Sequence, residues 1–189
     1  MTDIPKIWKK IRTTDLADYT VFSVHRVDAQ SPRTNKVLPF HVVRCADWIN
    51  VFPITADGRI VMVRQYRHGT EQVTLEIPGG LIEPGEDPVR AAHREMIEET
   101  GYDSARVIQI GFVNPNPAFM TNRCHTFLAP RVEYVRKQTQ DCGEDIHVVL
   151  VPLDEIPELV ANGTITHALI VAAAYQFQLY IDRNPDWNK

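Results

Sequence analysis

The stretch that decides the fold runs from Gly80 to Tyr102 and reads GLIEPGEDPVRAAHREMIEETGY. Its constrained positions follow the spacing G-x5-E-x7-R-E-U-x-E-E-x-G-U, where U is an apolar or aromatic residue. A chance match to all of these positions in a chain of 189 residues has a probability on the order of 10⁻⁷. The stretch, called the box motif below, is therefore a specific signal.

The second half of the box motif predicts a helix that carries an acidic stripe. Glu98 and Glu99 lie three and four positions after Glu95, so the three carboxylates share one side of the helix. Like charges at this spacing destabilise an isolated helix by about 0.3 kcal/mol per pair. Mg²⁺ binds carboxylate and phosphate oxygens, so the stripe predicts a site where magnesium meets a diphosphate.

The start of this helix is also predicted by its sequence. Pro88 suits the first turn, because its missing N–H costs nothing there, and we expect the helix to span residues 88 to 99. Asp87 or Glu86 can accept hydrogen bonds from the free amides at the N-terminus. Arg94 is placed to pair with Glu98 one turn later.

The box motif is identified as that of the Nudix hydrolase superfamily. The resemblance implies the α/β class, with an α/β/α sandwich built on a mixed sheet. It also implies Mg²⁺ as the cofactor, with Mn²⁺ as a substitute and two or three ions per site. The residues that the resemblance assigns to the site are the metal ligands Glu95, Glu98 and Glu99, the backbone carbonyl of Gly79, and the bracing pair Arg94 and Glu86.

Three further features are similar to the ADP-ribose and nucleoside diphosphate sugar pyrophosphatases of that superfamily. A pair of strands precedes the box domain, and Pro117 lies sixteen positions beyond Gly101. The third feature is the run Arg64-Gln65-Tyr66-Arg67 followed by Leu75-Glu76-Ile77-Pro78-Gly79-Gly80. The resemblance implies metal-dependent hydrolysis of the diphosphate linkage, giving a nucleoside monophosphate and a sugar phosphate.

The same resemblance implies candidate substrate contacts outside the box motif. Arg67 occupies the position of a phosphate-binding arginine, and Arg64 could assist it. Glu76 matches a glutamate that faces the site, and Trp48 could stack on a nucleobase. Each also has a plainer interpretation, since a strand charge can be solvent-exposed and a tryptophan can be buried or interfacial.

The base that activates water is expected outside the box motif, on a loop before a late strand. The matching segment is Gly143-Glu144-Asp145, and Glu144 is the chosen base. A flexible loop between Gln138 and Gly143 could swing it over bound substrate. Asp145 and Glu98 remain alternatives for this role.

The substrate class has alternatives as well. The residues after Pro117 include Phe119 and Met120, where many ADP-ribose enzymes have glycine-rich segments, so another nucleotide sugar such as GDP-mannose fits too. A dinucleoside polyphosphate, coenzyme A or a capped RNA end is a further alternative. The alternative that is not an enzyme is a catalytically silent Nudix module that senses a nucleotide.

Composition limits the partners and the compartment. The net charge of −4 and the 44% hydrophobic content suit one compact domain with an extension and give no basic surface for long nucleic acid. No segment has the length of a membrane span, and we expect no membrane partner. Three cysteines, none in a C-x-x-C pair, and histidines without ligand spacing indicate no disulfide framework or zinc site, so we expect the cytoplasm.

The domain plan follows from strand patterns and from the resemblance. Residues 1–47 are expected to form an N-terminal β extension that dimerises, and residues 48–189 the hydrolase domain, so a homodimer is expected. Alternating residues and turn signals predict most of the elements. Strands are expected at 19–27, 38–45, 49–55, 59–66, 105–112, 123–130 and 146–152, and helices at 154–161 and 166–180.

Overall fold

A computed structural model describes residues 4–140 and 143–188 of the chain. Within these residues the chain forms eleven strands and three α-helices. The strands are β1 (Lys9–Asp18), β2 (Ser23–Gln30), β3 (Val37–Arg44), β4 (Trp48–Thr55), β5 (Arg59–Arg67), β6 (Gln72–Glu76), β7 (Gly79–Leu81), β8 (Tyr102–Asp103), β9 (Ile108–Val113), β10 (Cys124–Tyr134) and β11 (His147–Pro152). The helices are α1 (Pro88–Thr100), α2 (Ile156–Ala161) and α3 (Ala168–Arg183). No helix in the described ranges is both long enough and apolar enough to span a membrane.

The chain divides into two compact units. The first comprises Met1–Ala46 together with Asn114–Asn122, and the second comprises Asp47–Val113 together with Arg123–Lys189. In the first unit, β1, β2 and β3 form an antiparallel sheet in chain order. The expected boundary after residue 47 lies one residue from this division, which also assigns the loop after β9 to the first unit.

The second unit is built on a mixed sheet, as the sequence predicts. Its central path runs β11-β5-β4-β10-β8, with β6 paired to β5, β7 to β4 and β9 to β10. The pair β4 and β10 is parallel, while the other pairs are antiparallel. The mixed α/β architecture is therefore confirmed.

Alternation along β4 distributes its side chains between two cores, one on each face of the sheet. Ile49 and Val51 pack with Met96 of α1 in one core. Phe52 packs with Phe177 of α3 in the other, where the two rings stack with centroids 5.0 Å apart. The central layer thus lies between two helical layers, and α1 is held rigidly against the sheet.

Local signals define both ends of α1. Asp87 is the N-cap, and its side chain accepts hydrogen bonds from the amides of Val89 at 2.9 Å and Arg90 at 3.4 Å. The helix ends at Gly101, which has φ 76° and donates its amide to the carbonyl of Ile97. A side chain at Gly101 would also overlap the carbonyl of Arg136, so glycine is required there.

The N-terminal sheet differs from the sequence prediction. The sequence predicts two strands, but the structure has three, because Lys9–Asp18 pairs with β2. This segment has no buried residue, so it lacks the apolar alternation that marks a strand. The strand expected from Tyr19 begins instead at Ser23, after a turn in which the Tyr19 amide donates to the Phe22 carbonyl.

Candidate active site

A single arginine of the box motif holds three of the motif's carboxylates. The Nε and Nη2 atoms of Arg94 donate to the two oxygens of Glu86 at 3.0 and 2.9 Å. Its Nη1 donates to Glu95 at 2.7 Å and to Glu98 at 3.3 Å. One positive charge therefore faces three negative charges, and the local balance stays negative.

The two glycines of β7 let the acidic helix approach the sheet backbone. A Cβ atom at Gly80 would overlap the carboxylate of Glu95, and one at Gly79 would overlap the backbone of Ile49 and Asn50. The Gly79 amide donates to the carboxylate of Glu99 at 3.0 Å. Only glycine allows this close approach, which seats the carboxylates of α1 against β7.

Glu99 is the most confined carboxylate of the stripe. The residue is 5% exposed, and burial raises the pKa of its carboxyl to about 8, while the Gly79 amide opposes the shift. The charges of Glu95 and Glu144 raise this pKa further. Among the described residues, no Arg, Lys or His side chain forms an ion pair with Glu99. The charge of Arg67 lowers this pKa, but Arg67 forms its ion pair with Glu76. Glu99 is thus a buried acid that no cationic side chain of the described residues pairs directly.

Glu95 shows a weaker form of the same imbalance. Burial raises the pKa of Glu95, and the hydrogen bond from Arg94 opposes the rise. The charges of Glu98 and Glu144 add to it. Two neighbouring carboxyl groups of the stripe are therefore both more easily protonated than a free glutamate.

A divalent cation suits this donor set. Within the described ranges, no group of three or more acidic, His or Cys side chains is already arranged around a common metal position. The carboxylates of Glu95 and Glu98 instead accept from Arg94, and that of Glu99 accepts from Gly79. A hard cation with oxygen ligands would supply the positive charge that the stripe lacks.

Arg67 and Glu76 form a second, balanced cluster at the end of β5 and β6. Arg67 donates from Nε and Nη2 to the two oxygens of Glu76 at 2.8 and 2.7 Å. Burial would raise the pKa of Glu76, but hydrogen bonds from Arg67 and Thr74 outweigh it and lower the pKa. Arg64, three residues before Arg67, projects from the opposite face of β5 and is exposed.

The loop before β11 brings Glu144 towards the acidic stripe. Glu144 and Asp145 are both exposed, but the charge of Glu144 acts on Glu95 and Glu99, whereas Asp145 lies 3.3 Å from His147. Gln138 anchors the start of this loop, because its side chain donates to the carbonyls of Glu99 at 2.7 Å and Ile146 at 3.1 Å. The middle of the segment expected to be flexible, residues 141 and 142, lies outside the described residues.

Trp48 is half-buried at the first position of β4. Its amide donates to the carbonyl of Arg123, and it lies opposite Cys124 on β10 and Leu81 on β7. The carbonyl of Leu81 accepts from Arg94 at 3.0 Å. The tryptophan therefore lies on the strand next to the one that leads into the box motif.

Two polar residues near the site were not predicted from the sequence. His167 caps α3 by accepting the Leu169 amide on Nδ1, and its Nε2 lies 4.0 Å from Glu76. Asn50 is buried opposite Gly79, and within the described part of the chain its side-chain oxygen has no hydrogen-bond partner. The cap position before the apolar run of α3 was the available signal for His167.

A large cavity elsewhere in the second unit contains none of the predicted site residues. Its volume is about 1000 Å³, and its walls are mostly apolar side chains of α2 and α3, including Val160 and Tyr175. Asp57 and Arg59 form part of its rim. The acidic stripe and this cavity are separate features.

Comparison with known families identifies the region that contains the site. The model of the NUDIX domain matches residues 47–173. The match includes the box motif, Arg67, Glu76 and Glu144, so each predicted site residue lies within the matched region.

Known proteins resemble the chain over most of its length. It is 29% identical over 172 residues to the ADP-ribose pyrophosphatase of Bacillus subtilis (strain 168), covering 90% of this chain and 92% of the relative. It is 35% identical over 146 residues to a CMP-5'-(N-acetyl-N-hydroxy-3-aminopropyl)phosphonate hydrolase of Streptomyces rubellomurinus, covering 77% and 70%. A crystal structure of an ADP compounds hydrolase superposes with a TM-score of 0.85 at 21% identity, covering 96% of this chain and 98% of that one. The last likeness concerns the fold alone.

Proposed function

The chain belongs to the NUDIX domain family of pyrophosphohydrolases, and from this premise we propose that it hydrolyses the diphosphate linkage of ADP-ribose or a related nucleoside diphosphate sugar. The observation that carries the proposal is the acidic stripe of α1, where Glu99 is buried and forms no ion pair with a cationic side chain among the described residues. The Bacillus relative, which matches over nearly the whole chain, supports ADP-ribose as the first substrate to test.

Family membership brings a need for a divalent metal, and we propose Mg²⁺, with two or three ions and with Mn²⁺ as a substitute. Glu95, Glu98 and Glu99 would hold it together with the carbonyl of Gly79. When bound, the metal would neutralise the diphosphate and stabilise the charge on the leaving phosphate.

The protein groups around the stripe have separate tasks. Arg94, anchored on both oxygens of Glu86, orients the carboxylates of Glu95 and Glu98. Arg67 keeps the outer edge of its guanidinium available, because only its Nε and Nη2 atoms donate to Glu76. That edge would bind phosphate oxygens and fix the diphosphate next to the stripe.

Glu144 is the proposed base. It would accept a proton from water as the water oxygen bonds to one phosphorus and the bridging oxygen leaves with the other phosphate. Its electrostatic contact with Glu95 and Glu99 supports this choice over Asp145, which lies beside His147. The products would be a nucleoside monophosphate and a sugar phosphate.

We also propose that the first unit joins two copies of the chain. Its side chains include apolar residues that are largely exposed, such as Ile7 at 95% and Leu16 at 52%. Exposed apolar surface of this kind marks an interface, and a second copy is the partner expected. Sedimentation at micromolar concentration tests this, since a monomer would contradict the proposal.

The activity is tested by release of nucleoside monophosphate from a substrate panel with and without Mg²⁺. The panel contains ADP-ribose, ADP-glucose, GDP-mannose, UDP-glucose and a diadenosine polyphosphate, compared by kcat/KM. A preference for ADP-ribose or another nucleotide sugar would support the proposal. Cleavage of the diadenosine polyphosphate alone would assign the chain to another substrate class, and binding of ADP-ribose without cleavage would indicate a sensing module.

A further inference from the structure

The Arg67 and Glu76 pair is buried on one side and open on the other. Glu76 is 2% exposed, while the Arg67 side chain keeps 42% of its surface accessible. The two guanidinium donors that share one edge of the group, Nε and Nη2, are both used on the carboxylate, at 2.8 and 2.7 Å. The carboxylate therefore fixes the plane of the guanidinium, and the opposite edge of that plane is the one available to an anion.

Two further groups hold the carboxylate itself. The Thr74 hydroxyl donates to one oxygen of Glu76 at 2.6 Å. His167 lies on the side of the other oxygen, with its Nε2 at 4.0 Å. This distance is too long for a hydrogen bond but short enough for an electrostatic attraction.

His167 also fixes the position of α3. Its Nδ1 accepts the amide of Leu169 at 3.2 Å, as the N-cap of the helix. A ring that accepts on Nδ1 carries its hydrogen on Nε2, which is the atom nearest Glu76. The His167 side chain thus accepts a free amide at the N-terminus of α3 and presents its Nε2–H to the buried carboxylate of Glu76.

These contacts leave Glu76 little capacity to bind substrate. One oxygen accepts from Arg67 and Thr74, and the other accepts from Arg67 and faces His167. Stability alone does not explain the arrangement, because a buried ion pair contributes little more than apolar residues of the same volume. The charges of Arg67 and Glu99 also interact, which indicates that the arginine lies close to the acidic stripe.

We propose that Glu76 and His167 are positioning residues that orient Arg67, so that the open edge of its guanidinium meets one phosphate of the substrate. This inference rests on the proposed function and assigns Glu76 a different role from the substrate contact expected from its sequence position. His167 acts through Glu76, and α3 thereby becomes part of the support of the diphosphate site.

A double-mutant cycle separates positioning from direct contact. Glu76→Gln keeps the size of the side chain but offers Arg67 one acceptor instead of two, so we expect KM for ADP-ribose to rise about 10-fold with a smaller change in kcat. In an Arg67→Ala background the same substitution should change KM less than about 2-fold, since there is no arginine left to orient. An equal rise in both backgrounds would show that Glu76 contacts the substrate itself and would overturn the inference.

His167 is tested by two substitutions that differ in capping. Asn can still cap α3 but presents no ring N–H to Glu76, whereas Ala removes both functions. We expect His167→Asn to raise KM about 3-fold at an unchanged melting temperature, and to have no effect in the Arg67→Ala background. A His167→Asn enzyme with wild-type KM would remove His167 from the inference, and an effect that persists without Arg67 would do the same.

The chain offers a matched control for the loss of a carboxylate. Asp57 accepts from the hydroxyl of Thr55 at 2.6 Å and from Nε of Arg59 at 2.8 Å, so it repeats the threonine, acid and arginine set at an exposed turn. Asp57→Asn should leave KM and kcat unchanged. A rise in KM in this variant equal to that of Glu76→Gln would attribute the effect to net charge and would overturn the inference.

Binding of inorganic pyrophosphate, measured by calorimetry in the presence of Mg²⁺, separates this inference from the proposed function. If the enzyme cleaves no nucleotide sugar, yet Glu76→Gln weakens pyrophosphate binding as much as Arg67→Ala does, the positioning role stands and the substrate proposal fails. If nucleotide sugars are cleaved and Glu76→Gln binds pyrophosphate as well as or better than the wild type, the reverse holds. Tighter binding would mean that Glu76 only neutralises Arg67.

Discussion

Two buried glutamates in the second unit have pKa values that are shifted in opposite directions. Glu76, 2% exposed, has its pKa lowered, because Arg67 and Thr74 donate to it and outweigh its burial. Glu99, 5% exposed, has its pKa raised to about 8 by burial, because a single backbone amide is its hydrogen-bond donor among the described residues. The contrast separates a carboxylate that the protein has already paired from one that is left for a cation from outside.

The largest expected effect follows from replacing the carboxylate that lacks a cation. Glu99→Gln removes the charge of a proposed metal ligand while keeping the side-chain volume, so kcat/KM should fall about 10³-fold with saturating Mg²⁺. Glu158→Gln, on the exposed face of α2, is the matched control and should retain full activity. Initial rates of nucleoside monophosphate release measure both, and a Glu99→Gln enzyme within a few fold of wild type would place the metal elsewhere.

The second prediction concerns Glu144, whose charge raises the pKa of Glu99. Glu144→Gln should lower kcat about 10²-fold with little change in KM, because the proposed base acts on water rather than on substrate binding. Asp145→Asn is the control from the same loop, and its carboxylate faces His147 instead. Full kcat in Glu144→Gln together with a slow Asp145→Asn enzyme would identify Asp145 as the base instead.

Glu98 is the other rival for the role of base. Its side chain is 39% exposed and accepts from Arg94 at 3.3 Å, so it is partly neutralised before substrate arrives. Replacing a metal ligand weakens metal binding, so added metal can recover part of the lost activity, whereas replacing the base causes a loss that metal does not recover. Raising the Mg²⁺ concentration should restore part of the activity of Glu98→Gln and none of that of Glu144→Gln.

The features predicted from sequence are those whose partners lie close along the chain. The stripe Glu95 to Glu99 and the pair of Arg94 with Glu98 follow from helical spacing, and Asp87 from capping rules. Glu76 and His167 are 91 positions apart in the sequence, which no local period connects. The cap position of His167 is visible in the sequence, but its approach to Glu76 depends on the tertiary fold.

Strands were predicted where apolar side chains are buried and missed where backbone pairing alone defines them. The interior strand β4, with seven of its eight residues buried, is predicted within one residue of its observed start. Strand β1 has no buried residue, and β8 has only two residues, so neither has a hydrophobic period to recognise. Strand β8 also pairs with β10, which lies far from it along the chain.

The third prediction is that Glu99→Gln, which lowers activity, raises the stability of the protein when metal is absent. The folded pKa of Glu99, about 8, lies above its ordinary value of 4.5, so the folded state loses stability from this group as pH rises from about 4.5 through 8. Glu99→Gln removes that loss and should be more stable than wild type by about 4 kcal/mol at pH 8, with almost no gain at pH 4. Urea unfolding at the two pH values in the presence of a chelator measures the difference.

Metal provides the counter-test for that third prediction. Added Mg²⁺ should stabilise the wild type and leave Glu99→Gln almost unchanged, since ligand binding to the folded state raises its stability by mass action. A wild-type protein whose melting temperature ignores Mg²⁺ would contradict the contrast between the two glutamates. The order of stability of the two proteins is thus expected to invert between chelator and metal.

The smallest expected effect tests the paired glutamate. Thr74→Val keeps the shape of the side chain and removes the hydroxyl that donates to Glu76 at 2.6 Å, so it should cost about 1.5 kcal/mol at pH 7. The folded pKa of Glu76 lies below 4.5, so its contribution is present above that pH and is lost as pH falls through the folded pKa. The difference between wild type and Thr74→Val should therefore shrink between pH 5 and pH 3, opposite in direction to the Glu99 effect. A difference that stays constant over this range would mean that the hydroxyl stabilises the fold through packing and not through the charge of Glu76.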